Sequence, residues 1–181
     1  MTGPRLETSR LILRPPVEGD LDDWAALDAD ERITTWIGGP QDRAASWRGL
    51  ATAAGMWALR GCGLFSVIDK ESGAWVGRAG PWTPEGALGI EIGWAFSSAG
   101  QGKGYATEAA RAAMGWAFER LGWTAVIHGI DAGNTASIAV AKRLGSTWLR
   151  AAAEPDGKIT QIYGQSRSQW LSRPALTHLH G

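Results

Sequence analysis

At 181 residues the chain has the length of one domain, large enough to bury a substantial core. Lys plus Arg and Asp plus Glu number 18 each, and the resulting zero net charge argues against bulk attraction to nucleic acid or a membrane surface. No apolar run is long enough to span a bilayer, the first five residues lack the apolar stretch of a signal peptide, and Cys62 stands alone, so no intrachain disulfide can form and the cytoplasm is the expected location.

The first predicted element is a strand at 10–14, closed by Pro15-Pro16 and followed by a helix at 18–29 whose start is acidic. Gly38-Gly39-Pro40 marks a loop before a helix at 43–60. Strands are predicted at 64–69, 75–80 and 86–96, separated by Glu71-Ser72-Gly73 and Thr83-Pro84-Glu85-Gly86. A helix follows at about 105–121, with Ala109, Ala112, Ala113, Trp116, Ala117 and Leu121 as its core-facing stripe. A strand at 124–130 leads to a second helix that stops at Leu144-Gly145, where Gly145 suits a C-terminal cap. Two last strands, 147–153 and 158–165, flank the hairpin signal Pro155-Asp156-Gly157. The order implies an α/β (α+β) domain over 1–172, with a mixed sheet, helices on its faces and a loosely ordered tail at 173–181. His178 and His180 lie in that tail and are not expected to be catalytic.

The segment Gln101-Gly102-Lys103-Gly104-Tyr105-Ala106-Thr107 joins the strand ending at Phe96 to the helix that follows. Its glycines allow close backbone approach, and the first N–H groups of a helix have no intrahelical partner, so this is an anion site suited to a pyrophosphate. Thr107 adds a hydroxyl and Lys103 a charge. The spacing matches neither the dinucleotide fingerprint nor the P-loop, which sets a nucleotide-binding enzyme aside. The alternative is a glycine-rich turn that only caps a helix.

Gln101-x-x-Gly104-x-Ala106 resembles the Gln/Arg-x-x-Gly-x-Gly/Ala signature of the GNAT N-acetyltransferase superfamily. Asn134, opening a helix that ends in Leu144-Gly145, resembles that family's next motif. Thr8-Ser9-Arg10-Leu11-Ile12-Leu13-Arg14 and the run Tyr105-Ala106-Thr107-Glu108-Ala109 resemble the branch that acetylates ribosomal-protein N-termini. The likeness extends from about Arg5 to Trp170. It implies a mostly antiparallel sheet of about six or seven strands, two central ones splaying apart between 86–96 and 124–130. It also implies acetyl-CoA as cosubstrate, no metal, and an amine acceptor, either a protein N-terminus or a small molecule, used by a monomer or homodimer. The pyrophosphate would lie on 101–107, and the pantetheine arm would pair with free strand groups at Trp94, Ala95 and Phe96 and touch Asn134.

Acetyl transfer to an amine needs a proton acceptor, because an alkylamine is mostly ammonium at neutral pH. Glu91, among Ile90, Ile92 and Trp94, is the first candidate, and partial burial would raise its pKa. The alternative is a strand carboxylate facing solvent or an arginine. Where the family often carries a Tyr to protonate the thiolate, this chain has Ala141. Ser137 resembles the Ser of the ribosomal-protein branch near the sulfur; it is either that hydroxyl or a first-turn helix residue. Tyr163 is a more distant candidate acid. The missing Tyr is the one feature that favours a non-catalytic acyl-CoA-binding module.

Ser146 replaces the family's aromatic, and Trp148 is expected to supply the lost packing. His128 either reaches the acceptor or is a satisfied core histidine. Of the eleven Trp, Trp24, Trp116 and Trp170 read as helix-face filler. Trp36 and Trp82, in predicted loops, are expected to line the acceptor pocket and favour an apolar or flat acceptor. Acidic groups there, such as Glu85 or Asp42, would contradict that expectation.

Overall fold

The computed structural model describes residues 3–153 and 157–172. Among the described residues eight strands form one sheet: β1 (Leu6–Glu7), β2 (Leu11–Arg14), β3 (Phe65–Asp69), β4 (Trp75–Trp82), β5 (Glu91–Phe96), β6 (Ala125–Ile130), β7 (Thr147–Ala153) and β8 (Ile159–Ser166). Their order is β1-β2-β3-β4-β5-β6-β8-β7. Every neighbouring pair is antiparallel except β5 with β6, which are parallel and share the single register pair Glu91↔Ile127. The helices are α1 (Leu21–Ala29), α2 (Glu31–Thr34), α3 (Arg43–Arg60), α4 (Tyr105–Arg120), α5 (Thr135–Leu144) and α6 (Arg167–Leu171).

One face of the sheet is covered by α4 and α5. Ala109, Ala113 and Ala117 are fully buried, and their small side chains let α4 lie close on the sheet beside Phe65, Val67 and Ile92. Ala112, Trp116 and Leu121 of the expected stripe are only partly buried, at the margins of that contact. The opposite face carries α1 and α3, where Trp24, Leu27, Leu50 and Ala53 pack with Leu64 and Trp75. No helix among the described residues is long and apolar enough to cross a membrane.

The structure departs from the expected elements in several places. The sheet has eight strands, because Leu6–Glu7 adds a short edge strand to β2. The helix expected at 18–29 begins with a 3-10 turn at Glu18–Asp20, where the Asp20 carboxylate is drawn inward by Arg14 Nη2 (2.6 Å), Ser66 Oγ (2.6 Å) and Val17 N (3.0 Å). The strand expected over 86–96 starts only at Glu91; before it Gly86, at φ +80°, holds the chain in a turn. The short helix α2 sits in what reads as loop, capped by the Asp30 side chain on Arg32 N. Residues 154–156 of the expected hairpin turn, and the tail at 173–181 with His178 and His180, lie outside the described residues.

Side chains occupy the ladder positions where β5 parts from β6, and the next β6 donor, Gly129 N, goes to Glu91 Oε1 (3.2 Å). Ile127 N donates to Ile90 O (2.9 Å), but the next carbonyl toward β6, Ile92 O, is taken by His128 Nδ1 (2.7 Å). An imidazole stands where a backbone partner would continue the ladder, and the Trp94 ring lies against it at 4.9 Å. The two strands are wedged apart beyond that point.

Candidate active site

The cleft opened by this wedge leads to the N-terminus of α4. Gly104 is its N-cap at φ 78°, and Gly102 has φ +73°, both in the left-handed region that favours glycine. The first intrahelical bond is Glu108 N to Gly104 O (3.1 Å), so the amides of Tyr105, Ala106 and Thr107 are left without helical partners. A cavity of about 620 Å³ lies in front of them. It is lined by Trp94–Phe96 of β5, by 100–102 and 104–107, and by the first turn of α5; Arg32 and Arg143 add positive charge.

Distant contacts fix this loop. Gln101 Nε2 donates to Phe96 O (3.0 Å), tying loop to strand. Tyr105 Oη donates to Asp69 Oδ2 at the end of β3 (2.9 Å). Glu108 accepts from Thr8 Oγ1 (2.6 Å), Ser9 Oγ (3.2 Å), Arg10 N (3.0 Å) and Arg10 Nε (2.8 Å), and Arg10 Nη1 reaches Lys103 O (2.9 Å). Burial works against the Glu108 carboxylate, but the bonds from Thr8 and Arg10 hold its pKa below the ordinary value.

At the inner end of the cleft Asn134 caps α5, its Oδ1 accepting from Ser137 N (3.0 Å). Trp94 Nε1 donates to Ser137 Oγ (3.3 Å), which leaves the hydroxyl proton free to be directed elsewhere. Beyond lies a second cavity of about 590 Å³. The two share Trp36, Ile37, Trp94, Ala95, Asn134 and Ser137, which together form a neck.

The second chamber is walled by Trp24, Trp36, Trp82 and Trp94 and by the carboxylates of Asp28, Glu85, Glu91 and Asp131. Arg78 pairs with Asp28 (2.8 Å), Lys158 with Asp131 (3.0 Å) and Arg60 with Glu85 (3.2 Å). Two buried donors on its floor, Arg78 Nη1 and Trp24 Nε1, have no hydrogen-bond partner among the described residues. Glu91 opens β5 opposite Trp82, half-buried, with Oε1 accepting from Gly129 N (3.2 Å).

A family model described as the acetyltransferase (GNAT) domain matches residues 10–147. The chain belongs to the GNAT acetyltransferase family. Among solved structures, an acetyltransferase from Agrobacterium tumefaciens str. C58 is 31% identical with a TM-score of 0.83, covering 91% of this chain and 95% of its own. RimL, a ribosomal L7/L12 α-N-protein acetyltransferase solved with coenzyme A, shares the fold at a TM-score of 0.75 and 15% identity, covering 90% of this chain and 98% of that one. The Bacillus subtilis (strain 168) protein YkkB is 38% identical over 87 residues, 47% of this chain and 51% of YkkB, so the chain spans about half the length of this curated relative.

As a GNAT acetyltransferase, the protein gathers nearly all the expected cosubstrate residues around one cavity: Trp94, Ala95, Phe96, Gln101, Gly102, Gly104, Tyr105, Ala106, Thr107, Asn134 and Ser137. Lys103 is not among its lining; its Nζ lies 5.7 Å from the Tyr105 ring centroid and its carbonyl serves Arg10. The Phe96 carbonyl is already held by Gln101. With Ile90, Ile92 and Phe96 carbonyls all engaged on the β6 side, strand alternation leaves the backbone groups of Trp94 facing the gap.

Trp36, Trp82 and Glu91 line the second chamber, as does His128, though Trp82 closes strand β4 rather than sitting in a loop. Glu85 is in the chamber's lining, against the expectation of an apolar acceptor, although Asp28, Glu85 and Asp131 are each ion-paired; Asp42 is absent from that lining and caps α3 on Ala45 N (2.7 Å).

His128 is 1% exposed, and both its ring nitrogens are engaged by protein. Because Ile92 O only accepts, Nδ1 carries the proton and Nε2 accepts from Ser146 Oγ (2.9 Å). Burial pushes the imidazole down to about 4. Ser146 is therefore no simple loss of an aromatic: it joins His128 to Gln165, whose Nε2 donates to Ser146 Oγ (2.9 Å) and Leu144 O (2.9 Å). Trp148 does not replace the missing packing. It is 56% exposed on the outermost strand, bonded to Gln161 Oε1 (2.8 Å). Ala141 is fully buried against Tyr163 and Ile130. Arg78, Asp28 and Asp131 escaped the sequence reading because nothing local marks a residue whose role depends on cross-sheet register.

Proposed function

We propose that this enzyme transfers an acetyl group from acetyl-CoA to a primary amine by direct attack in a ternary complex. The observation that carries the reading is the junction of two chambers at one neck, a helix N-terminus on one side and a carboxylate-bearing pocket on the other. The pyrophosphate would rest on the free amides at 105–107, and the pantetheine arm on Trp94 and Asn134. Glu91 would take one proton from the incoming ammonium, directly or through water; as the N–C bond forms and the C–S bond breaks, the second proton lost by the attacking nitrogen would pass to the departing sulfur through the Ser137 hydroxyl, which hydrogen-bonds it. His128, neutral and bonded at both nitrogens, is better suited to holding the cleft open than to proton transfer. The acceptor class includes protein N-termini and small-molecule amines, used in the cytoplasm by a monomer or homodimer.

Thiol release from acetyl-CoA across a panel of amines and short peptides tests the reading. Glu91→Gln should lower kcat/KM by roughly 10²- to 10⁴-fold, the range of a positioned general base, with acetyl-CoA affinity unchanged. Tight acetyl-CoA binding with no thiol release for any acceptor would favour the non-catalytic acyl-CoA-binding alternative, to which the buried Ala141 already points.

A further inference from the structure

Trp36 lines both chambers, and its main chain is held by residues of the second chamber's own wall. Its main-chain carbonyl accepts from Lys158 Nζ (3.4 Å), which also pairs with Asp131 Oδ2 (3.0 Å). Asp131 Oδ1 accepts from Gly133 N (2.8 Å), so the segment 35–42 between α2 and α3 (the strap), Lys158 just before β8 and the turn before α5 are joined in one cluster. The indole itself lies against Gly133: a Cβ built there would meet Trp36 Cζ3 at 2.6 Å and Cη2 at 2.8 Å. Gly133 is not in the left-handed region, so close approach of the ring, rather than backbone conformation, is what its lack of a side chain permits.

We propose that Trp36 is the acyl stop of this enzyme, one wall of the neck that narrows it and limits the donor to short acyl thioesters, and that Gly133 is the seat that sets its position. The inference rests on the reading that places the thioester sulfur beside Ser137. An acyl group attached there projects through the neck toward the second chamber. A two-carbon acyl group ends within the neck; a longer chain runs beneath the indole and competes for its space. The indole is 36% exposed but is backed at Gly133 by bare backbone, which opposes its displacement on that side, so the wall discriminates by length. Lys158 and Asp131 are positioning residues, since they hold the strap that carries Trp36.

The test needs no knowledge of the acceptor. Acetyl-CoA and hexanoyl-CoA are titrated calorimetrically into wild type, Trp36→Ala, Gly133→Ala and the double variant. Wild type is expected to bind hexanoyl-CoA at least tenfold more weakly than acetyl-CoA, and Trp36→Ala to bring that ratio within twofold of unity. Gly133→Ala, which must shift the ring, should change the ratio several-fold in the wild-type background and not at all once Trp36 is gone. That non-additivity separates a seat from a merely destabilised turn. Equal wild-type affinities for the two thioesters, or a ratio untouched by Trp36→Ala, overturns the acyl stop. A Gly133→Ala effect that persists without the indole overturns the seat. Failure of wild type to bind acetyl-CoA at all instead overturns the proposed function.

Discussion

The two chambers that meet at Trp36 and Trp94 are built from different materials. The chamber proposed for the donor has a backbone cradle: one loop with two glycines at positive φ, the open amides of a helix N-terminus and the strand groups of Trp94. The chamber proposed for the acceptor is walled by side chains brought from α1, the segment after α2, β4, β5, β6 and the start of β8. A backbone cradle requires conformations that few residues permit, so a short stretch of sequence specifies it. A pocket of side chains requires only that distant elements pack in register, and each wall can change without loss of the fold. The first arrangement suits a cosubstrate used in common, the second an acceptor that differs from enzyme to enzyme.

A pair of glycine substitutions would break or uphold this division most sharply. Gly104→Val puts a β-branched residue at φ 78° in the cradle, where backbone strain is on the order of 1–3 kcal/mol, and should weaken acetyl-CoA binding roughly 10- to 100-fold by calorimetry. Gly93 faces the second chamber, is not at positive φ, and a Cβ there meets nothing nearer than Glu91 Oε1 at 4.0 Å. Gly93→Val should therefore leave acetyl-CoA affinity within about threefold while raising acceptor KM or lowering turnover about tenfold or more. Equal damage to acetyl-CoA binding by both would mean that the chambers are one site.

The seam between the chambers gives the next test, and it shows what the sequence can carry. The cradle at 101–107, the Asn134 cap and most elements are legible because glycine, cap and periodicity signals are local. The helix at 43–60 is observed with those bounds, Arg43–Arg60, from its Asp42 cap to Gly61 at φ 67°. The wedge is not legible: His128, Ser146 and Gln165 are 37 positions apart end to end and look unrelated until β6 and β8 pair His128 with Tyr163 and Val126 with Gln165. With folded His128 at about 4, against an ordinary 6.5, protonation favours the unfolded chain. Its neutral form contributes full stability above about pH 6.5, and that contribution is lost as pH falls from 6.5 toward 4. Urea unfolding should show a loss of about 2 kcal/mol between pH 7.5 and 5 from this group. In His128→Asn the baseline is lower but this pH-dependent loss should be absent; an unchanged slope would place the titration elsewhere.

The smallest effect concerns how the backbone cradle is itself held. Thr8, Ser9 and Arg10 converge on Glu108 in the first turn of α4, and Arg10 carries the contact on to the Lys103 carbonyl. Two segments a hundred residues apart thus form one clamp behind the glycine loop, which gives the N-terminal motif a physical role its sequence does not reveal. Glu108→Gln keeps the shape and one acceptor oxygen but removes the charge that pairs with Arg10 at 2.6 Å. Arg10 is about half exposed, so solvent screens the pair and its worth is modest. We expect acetyl-CoA affinity to fall about three- to tenfold, roughly 0.7–1.4 kcal/mol, with kcat at saturation unchanged. A matching loss of global stability with unaltered affinity would make the clamp a brace of the fold alone, and the donor site would then owe its shape entirely to Gly102 and Gly104.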